Sequence, residues 1–308
     1  MELSLFDLHC DTPYEMLQKK QPLTQNQLAV SLENASCFRQ YIQVMAFWTD
    51  CRLDDEAGWQ QYRAMLQNLT DDPAIQSKQA VIDTQVSNSI VPTLLLAVED
   101  ARILCGRLER VEALYRDGVR ILTPLWSGVT CMGGSHDTDV GLTDFGKSAI
   151  EKAVCLGMIP DISHASEQSA DDIFQIATTY NRPVIASHSN SYTLCPVSRN
   201  LRDGQIRDLL RCDGVIGINL YQNFLKKCGT ATVEDILPHI EYFLEQGAEK
   251  NLCIGGDWDG AKLPKDLPDL SALPRLAEKL VARNYSEELI QDLFFGNAFR
   301  FATKYIHS

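Results

Sequence analysis

The sequence predicts a (β/α)8 barrel, and three observations predict it. Eight short apolar runs alternate with helical stretches along the 308 residues. The runs are continuously apolar, which suits parallel strands covered on both faces. Acidic and imidazole residues recur just past the runs, where such a barrel gathers its active-site groups. A doubly wound open sheet would also explain the strands but would not require eight units. No composition shift marks a boundary, so one domain over residues 1–308 is expected.

In chain order, Leu3–Phe6 is the first strand, ending in Asp7-Leu8-His9-Cys10-Asp11, and Pro13 opens a helix through about Lys20. Tyr41–Trp48 is the second strand. A helical pattern runs from Glu56 to about Val86, with Trp59, Tyr62, Met65 and Leu66 on one face and Pro73 as an interruption. Ile90–Val98 is the third strand, ending at Glu99-Asp100, and a helix over 108–116 follows. Val119–Thr123 is the fourth, followed by a Gly-rich loop over 127–141 and a helix over 144–156. Met158–Ile162 is the fifth, ending at Ser163-His164, before a helix over 167–179. Pro183–Ala186 is the sixth, ending at Ser187-His188. A loop with Pro196-Val197-Ser198-Arg199-Asn200 leads to a helix over 203–212. Val215–Leu220 is the seventh, with a helix over 233–246. Leu252–Gly255 is the eighth, ending at Gly256-Asp257-Trp258-Asp259-Gly260. Helices over 270–283 and 286–305 close the chain.

The formal net charge of -13 argues against nucleic acid and anionic membranes as partners. The ten cysteines are scattered with no C-x-x-C pair, which fits reduced thiols in a cytoplasmic protein. No signal peptide, lipid-anchor tail or bilayer-spanning run is evident.

His9 and Asp11 stand two apart, so an extended backbone turns both to one face. Glu99, His164, His188 and Asp257 stand at other strand ends of the same rim. The chain has only six histidines, and three of them occupy such ends. His307 lies in the tail. His239 lies in a helix as a surface or packing residue. His136, in the long loop, is either a substrate-side or a solvated residue. Imidazoles mixed with carboxylates suit zinc, or manganese or cobalt. Five ligands exceed what one tetrahedral catalytic ion with an open position can use, so two ions sharing a carboxylate fit better.

With these motifs in place, the chain resembles the membrane (renal) dipeptidases, zinc peptidases built on a (β/α)8 barrel. The match runs in order through D-L-H-C-D at 7–11, A-V-E at 97–99, V-R-I-L-T at 119–123, L-G-M-I-P-D-I-S-H at 156–164, P-V-I-A-S-H-S at 183–189, S-R-N at 198–200, I-N-L-Y at 218–221, G-G-D-W-D-G at 255–260 and G-N-A-F-R at 296–300. The resemblance implies that His9 and Asp11 hold one zinc ion, that His164 and His188 hold the other, and that Glu99 bridges them. It implies that Arg199 binds the substrate carboxylate and that Asp257 lies beside the scissile bond. Trp126 and Tyr221 are further expected substrate contacts. Small dipeptides are the expected partners, and a homodimer is a possible assembly.

Three departures stand out. Where the animal enzymes place a substrate-contacting histidine after the fourth strand, this chain has Trp126, as in a bacterial subgroup. Glu99 is followed by Asp100-Ala101 in place of a glycine pair. The animal members' signal and anchor segments have no counterpart here.

The expected chemistry is attack of a metal-bridging hydroxide on the peptide carbonyl, with metal charge stabilising the oxyanion. Asp257 carries a proton to the departing nitrogen or holds the substrate's amino group. Arg199 offers a planar fork to a carboxylate. Asp259 is either an orienting residue or a polar cap for the next helix. The rival readings are an amidohydrolase acting on N-acyl amino acids or lactones, and a non-catalytic metal-binding barrel.

Overall fold

The computed structural model describes residues 2–306, so His307 lies outside the described residues. Its strands are β1 (Leu5–Cys10), β2 (Tyr41–Trp48), β3 (Val81–Ile82), β4 (Thr93–Glu99), β5 (Val119–Thr123), β6 (Ile159–Pro160), β7 (Ile216–Ile218) and β8 (Leu252–Ile254). All strand pairings are parallel, in the order β6-β5-β4-β2-β1-β8-β7, with β3 beside β4. The ring closes through residues 183–186. The expected sixth strand is reduced there to two parallel bridges, Asp161 with Ile185 and Ala186 with Ile216. The result is a (β/α)8 barrel.

Packing sorts the strand residues into two layers. Phe6, Leu8, Ile42, Val44, Ala46, Leu95, Ala97, Ile121, Ile159 and Ile185 pack together as the barrel interior. Met45, Phe47, Leu94, Leu96 and Val98 belong to the outer layer shared with the helices. Residues of the helix Asn297–Tyr305 join the interior cluster through Ala298, Phe301 and Ala302.

The helical pattern over 56–86 splits. Asp55–Thr70 is one helix, and Pro73 starts a second short one, with Asp72 accepting the Ala74 N–H at 2.8 Å. The following residues form β3 instead of helix. Strand β4 begins at Thr93, later than expected. Pro92 cannot donate to a ladder, and Ile90 is exposed. The last helix contains a π-helical turn, Asp292–Gly296, whose Asp292 is held by Lys250 at 2.7 Å and Arg300 at 2.8 Å.

Two local features aim the rim residues. In β1, Asp7 pairs with Gln43 while Cys10 pairs with Met45, so three steps oppose two. This bulge lets His9 face the interior beside Leu8, although strict alternation would turn it outward with Asp7. Near 187, the backbone runs close to two glycines: a Cβ on Gly217 would sit 1.9 Å from the Ser187 carbonyl oxygen, and one on Gly255 1.8 Å from it. Only glycine fits at either position, and this close approach falls one residue before His188.

Candidate active site

His9, Asp11, Glu99, His164, His188 and Asp257 converge at one end of the barrel. His9 Nε2 lies 3.5 Å from Asp11 Oδ2 and 3.7 Å from Glu99 Oε2. On the other side, His164 Nε2 is 2.9 Å and His188 Nε2 3.3 Å from Glu99 Oε1. The two imidazole nitrogens are 3.1 Å apart. Glu99 thus stands between two groups: His9 and Asp11 on one side, His164 and His188 on the other.

The imidazoles are oriented from behind. His164 donates from Nδ1 to the Trp126 carbonyl at 3.0 Å. His188 Nδ1 is 2.7 Å from Ser187 Oγ, whose own hydroxyl donates to Asp161 Oδ2 at 2.5 Å. Asp161 also accepts from the backbone N–H groups of Ser163 and Ser187 and from the Thr123 hydroxyl. Both rings therefore hold their proton on Nδ1 and turn a bare Nε2 lone pair into the site, the usual arrangement for a metal-binding histidine. His164 and Asp257 sit at φ of 74° and 58°, a left-handed conformation that is uncommon for these residues and accumulates at functional sites.

Several buried atoms here have no hydrogen-bond partner: His9 Nε2, Asp11 Oδ1 and Glu99 Oε1. A buried polar atom without a partner costs free energy, so a cluster of them at one point calls for an absent partner. Nitrogen and oxygen lone pairs that converge on one space fit a divalent cation. His9, Glu99 and His188 form one set able to hold an ion, and His9, Asp11 and Asp257 form another.

Electrostatics divides the site. Burial opposes a charge on His9, but Glu99, Asp11 and Asp257 outweigh it and lift its imidazole to about 10. Burial lifts Asp11 to about 7, with Glu99 adding to the effect. Burial also lifts Glu99 to about 7 against the pull of His9. His164 and His188 are held well below the ordinary histidine value by burial, reinforced by Arg199 at His164 and by His9 at His188. Both imidazoles are thereby held toward their neutral form.

Arg199 is buried beside this centre. Its Nη2 donates to the His188 carbonyl at 3.2 Å, its guanidinium lies 5.3 Å from the Phe224 ring centroid, and its Nε has no partner. Asp257 is fixed by Asn219, which donates to Oδ2 at 3.0 Å. A cleft of about 550 Å³ opens above, and Arg199, Asp257, Trp126, Tyr221 and His136 all line it. His136 Nδ1 is 2.8 Å from Ser198 Oγ, and burial together with Arg199 lowers its imidazole to about 4.

Three comparisons with known proteins bear on this cleft. The family model described as membrane dipeptidase (Peptidase family M19) matches residues 1–305. The chain belongs to the membrane dipeptidase family. It is therefore a metal-dependent peptide hydrolase. Among its relatives is an uncharacterised Klebsiella pneumoniae protein encoded in the 5′ region of pqqA, 33% identical over 222 residues, or 68% of this chain and 81% of the relative. The solved structure of the metallopeptidase called dipeptidase AC superposes with a TM-score of 0.92 at 22% identity, covering 100% of both chains. A Rhodobacter sphaeroides metallopeptidase, solved with a phosphinate mimic of the dipeptide L-Ala-D-Ala, gives 0.91 at 20% identity, again over 100% of both chains. At these identities the two structures speak for the fold.

Asp259 is not among the groups that converge on the rim of this dipeptidase. It accepts from the Thr12 hydroxyl and the Ala29 N–H, both at 2.7 Å, and so ties the first helix and the 29–30 loop to the rim. His239 is a packing residue, bonded through its two nitrogens to the Ser191 N–H at 3.1 Å and the Leu225 carbonyl at 3.0 Å. The cleft also contains Tyr14, Trp48 and Phe224, which no motif of the sequence marks as site residues. Trp48 was within reach of the strand-end rule, since it ends β2 and pairs in register with Glu99. Tyr14 and Phe224 lie on helices, where no such rule applies.

Proposed function

We propose that the enzyme hydrolyses dipeptides with a free C-terminal carboxylate, using two divalent ions, zinc foremost. The observation that carries this reading is the pairing, in one cleft, of unsatisfied ligand atoms with a buried guanidinium whose Nε is also unsatisfied. His9 and Asp11 would hold one ion, His164 and His188 the other, with Glu99 shared. When bound, such ions supply an activated water and a Lewis acid for the carbonyl oxygen.

The chain's own groups do the rest. Arg199 anchors the carboxylate and sets the scissile carbonyl over Glu99. Asp257, steadied by Asn219, takes the substrate's amino group or the proton bound for the departing nitrogen. Asp161, through Ser187, holds His188 in its ligating orientation. The phosphinate ligand of the Rhodobacter sphaeroides relative makes an L,D-dipeptide a fitting test compound. Ten free cysteines favour a reducing compartment, the cytoplasm, and among the described residues no helix is long and apolar enough to cross a membrane.

A panel of small L,L- and L,D-dipeptides, incubated with zinc-loaded protein, tests the reading. Release of free amino acids is the expected outcome. Cleavage of N-acyl amino acids or lactones with no cleavage of any dipeptide would reject it.

A further inference from the structure

The cleft has a direction. Its β1 and β8 side carries Asp11 and Asp257; Arg199 follows the 183–186 segment. In ring order β2 lies opposite that segment, with three strands between them either way round: β4, β5 and β6, or β1, β8 and β7. Trp48, the last residue of β2, therefore stands across the cleft from Arg199.

Trp48 is the centre of an aromatic wall. Its ring lies 5.0 Å from Tyr14 at an interplanar angle of 77°, and 5.2 Å from Trp126 at 61°. These are edge-to-face contacts that fix ring positions relative to one another. All three rings line the cleft. Glu15, beside Tyr14, is engaged by Lys19 at 2.6 Å. The Trp48 Nε1, an unpartnered donor, offers nothing to a cationic side chain. A second aromatic pair, Tyr221 and Phe224 at 4.6 Å, lies on the Arg199 side.

A dipeptide whose carboxylate meets Arg199 and whose amino group meets Asp257, one of the two roles given to that residue above, lies along the axis from Arg199 to the β1 and β8 side. Its first side chain then faces the β2 side. We propose that Tyr14, Trp48 and Trp126 form the subsite for the side chain of the amino-terminal residue, and that this subsite selects large apolar or aromatic side chains. The direction of the substrate rests on the dipeptidase reading; the wall itself does not.

The test compares kcat/KM for Ala-Ala, Leu-Ala, Phe-Ala and Lys-Ala with that for Ala-Leu and Ala-Phe. The wild type should favour Phe-Ala and Leu-Ala over Ala-Ala by about 10- to 100-fold, the range an apolar pocket gives for a few added carbons. In Trp126→Ala and Trp48→Leu that ratio should fall toward one, while the ratio of Ala-Phe to Ala-Ala keeps its wild-type value. Calorimetric affinities for phosphinate analogues of Phe-Ala and Ala-Ala should show the same loss without turnover. Metal content and thermal melting are checked for each variant, and Trp126→Leu replaces any variant that does not fold. Wild-type enzyme that cleaves Ala-Ala but not Phe-Ala any faster, or prefers Lys-Ala, overturns the subsite. So does a variant that shifts the second-position ratio instead. Wild-type enzyme that cleaves none of the dipeptides rejects the dipeptidase reading and not the wall.

Discussion

Asp7 and Glu99 are both buried carboxylates of barrel strands, and they are held in opposite ways. Asp7 accepts from the His9 N–H at 2.9 Å, the Trp258 indole at 2.7 Å and the Gly256 N–H at 3.1 Å. It staples β1 to the loop after β8. Glu99 has three imidazoles around it, yet Oε1 receives no hydrogen bond. Two arginines repeat the contrast. Arg102 is buried among the Asp100 carboxylate at 3.0 Å and the carbonyls of Asp50 at 2.7 Å and Leu53 at 3.0 Å. Arg199, equally buried, keeps its Nε free. A buried charge with its partners in place builds the fold. On the proposed reading, a buried charge without them holds a place for something that arrives later, a cation at Glu99 and a carboxylate at Arg199.

The sharpest way to break this comparison is to neutralise each carboxylate. Glu99→Gln should lower turnover by about three orders of magnitude or more, since several kcal/mol of metal-supplied stabilisation is at stake. Its metal content should fall and its fold should persist. Asp7→Asn should do the reverse, costing about 1–3 kcal/mol of stability because an amide NH2 then faces buried donors where an acceptor oxygen stood. Denaturant melts and metal analysis of the two proteins decide. Equal losses of metal and stability in both would erase the distinction.

The arginines come next. Removing one partner of a buried charge-assisted pair costs ~2–5 kcal/mol. Arg199→Ala should therefore cut kcat/KM for dipeptides by roughly 30- to several-thousand-fold. Amidating the substrate's carboxylate should weaken the wild-type reaction to a similar degree, and the two losses should not add. Arg102→Ala should show its loss in stability. Wild-type enzyme that cleaves the amide as readily as the free acid would remove Arg199 from the role of anchor.

These contrasts also mark what the sequence could reveal. The barrel was legible because parallel strands are continuously apolar, and the rim because His9, Glu99, His164, His188 and Asp257 each follow an apolar run. The bulge in β1 was not, since nothing in Asp7-Leu8-His9-Cys10-Asp11 tells which acid turns inward. The sixth strand survives only as two bridges, Asp161 with Ile185 and Ala186 with Ile216, an extent of pairing set by which backbones meet and invisible along the chain. The Asp161–Ser187 support of His188 and the cleft positions of Tyr14 and Phe224 likewise depend on which elements meet.

A smaller effect sharpens the Glu99 case. In metal-free protein its folded-state pKa is raised from 4.5 to about 7, chiefly by burial. The folded state then binds the proton more tightly than the unfolded chain. The stability this supplies is fully present below pH 4.5 and is lost as pH rises through about 7. Metal-free Glu99→Gln should lose less stability over that interval than metal-free wild type. Parallel melting-temperature profiles would show that Glu99 is not the strained group.

On the proposed reading, one rim holds two ions because its ligands are divided around Glu99. Metal titration of stripped protein, with activity measured at each addition, tests it most directly. Saturation near two equivalents per chain, with full activity only near the second, is the predicted result. Full activity at a single bound equivalent would contradict it.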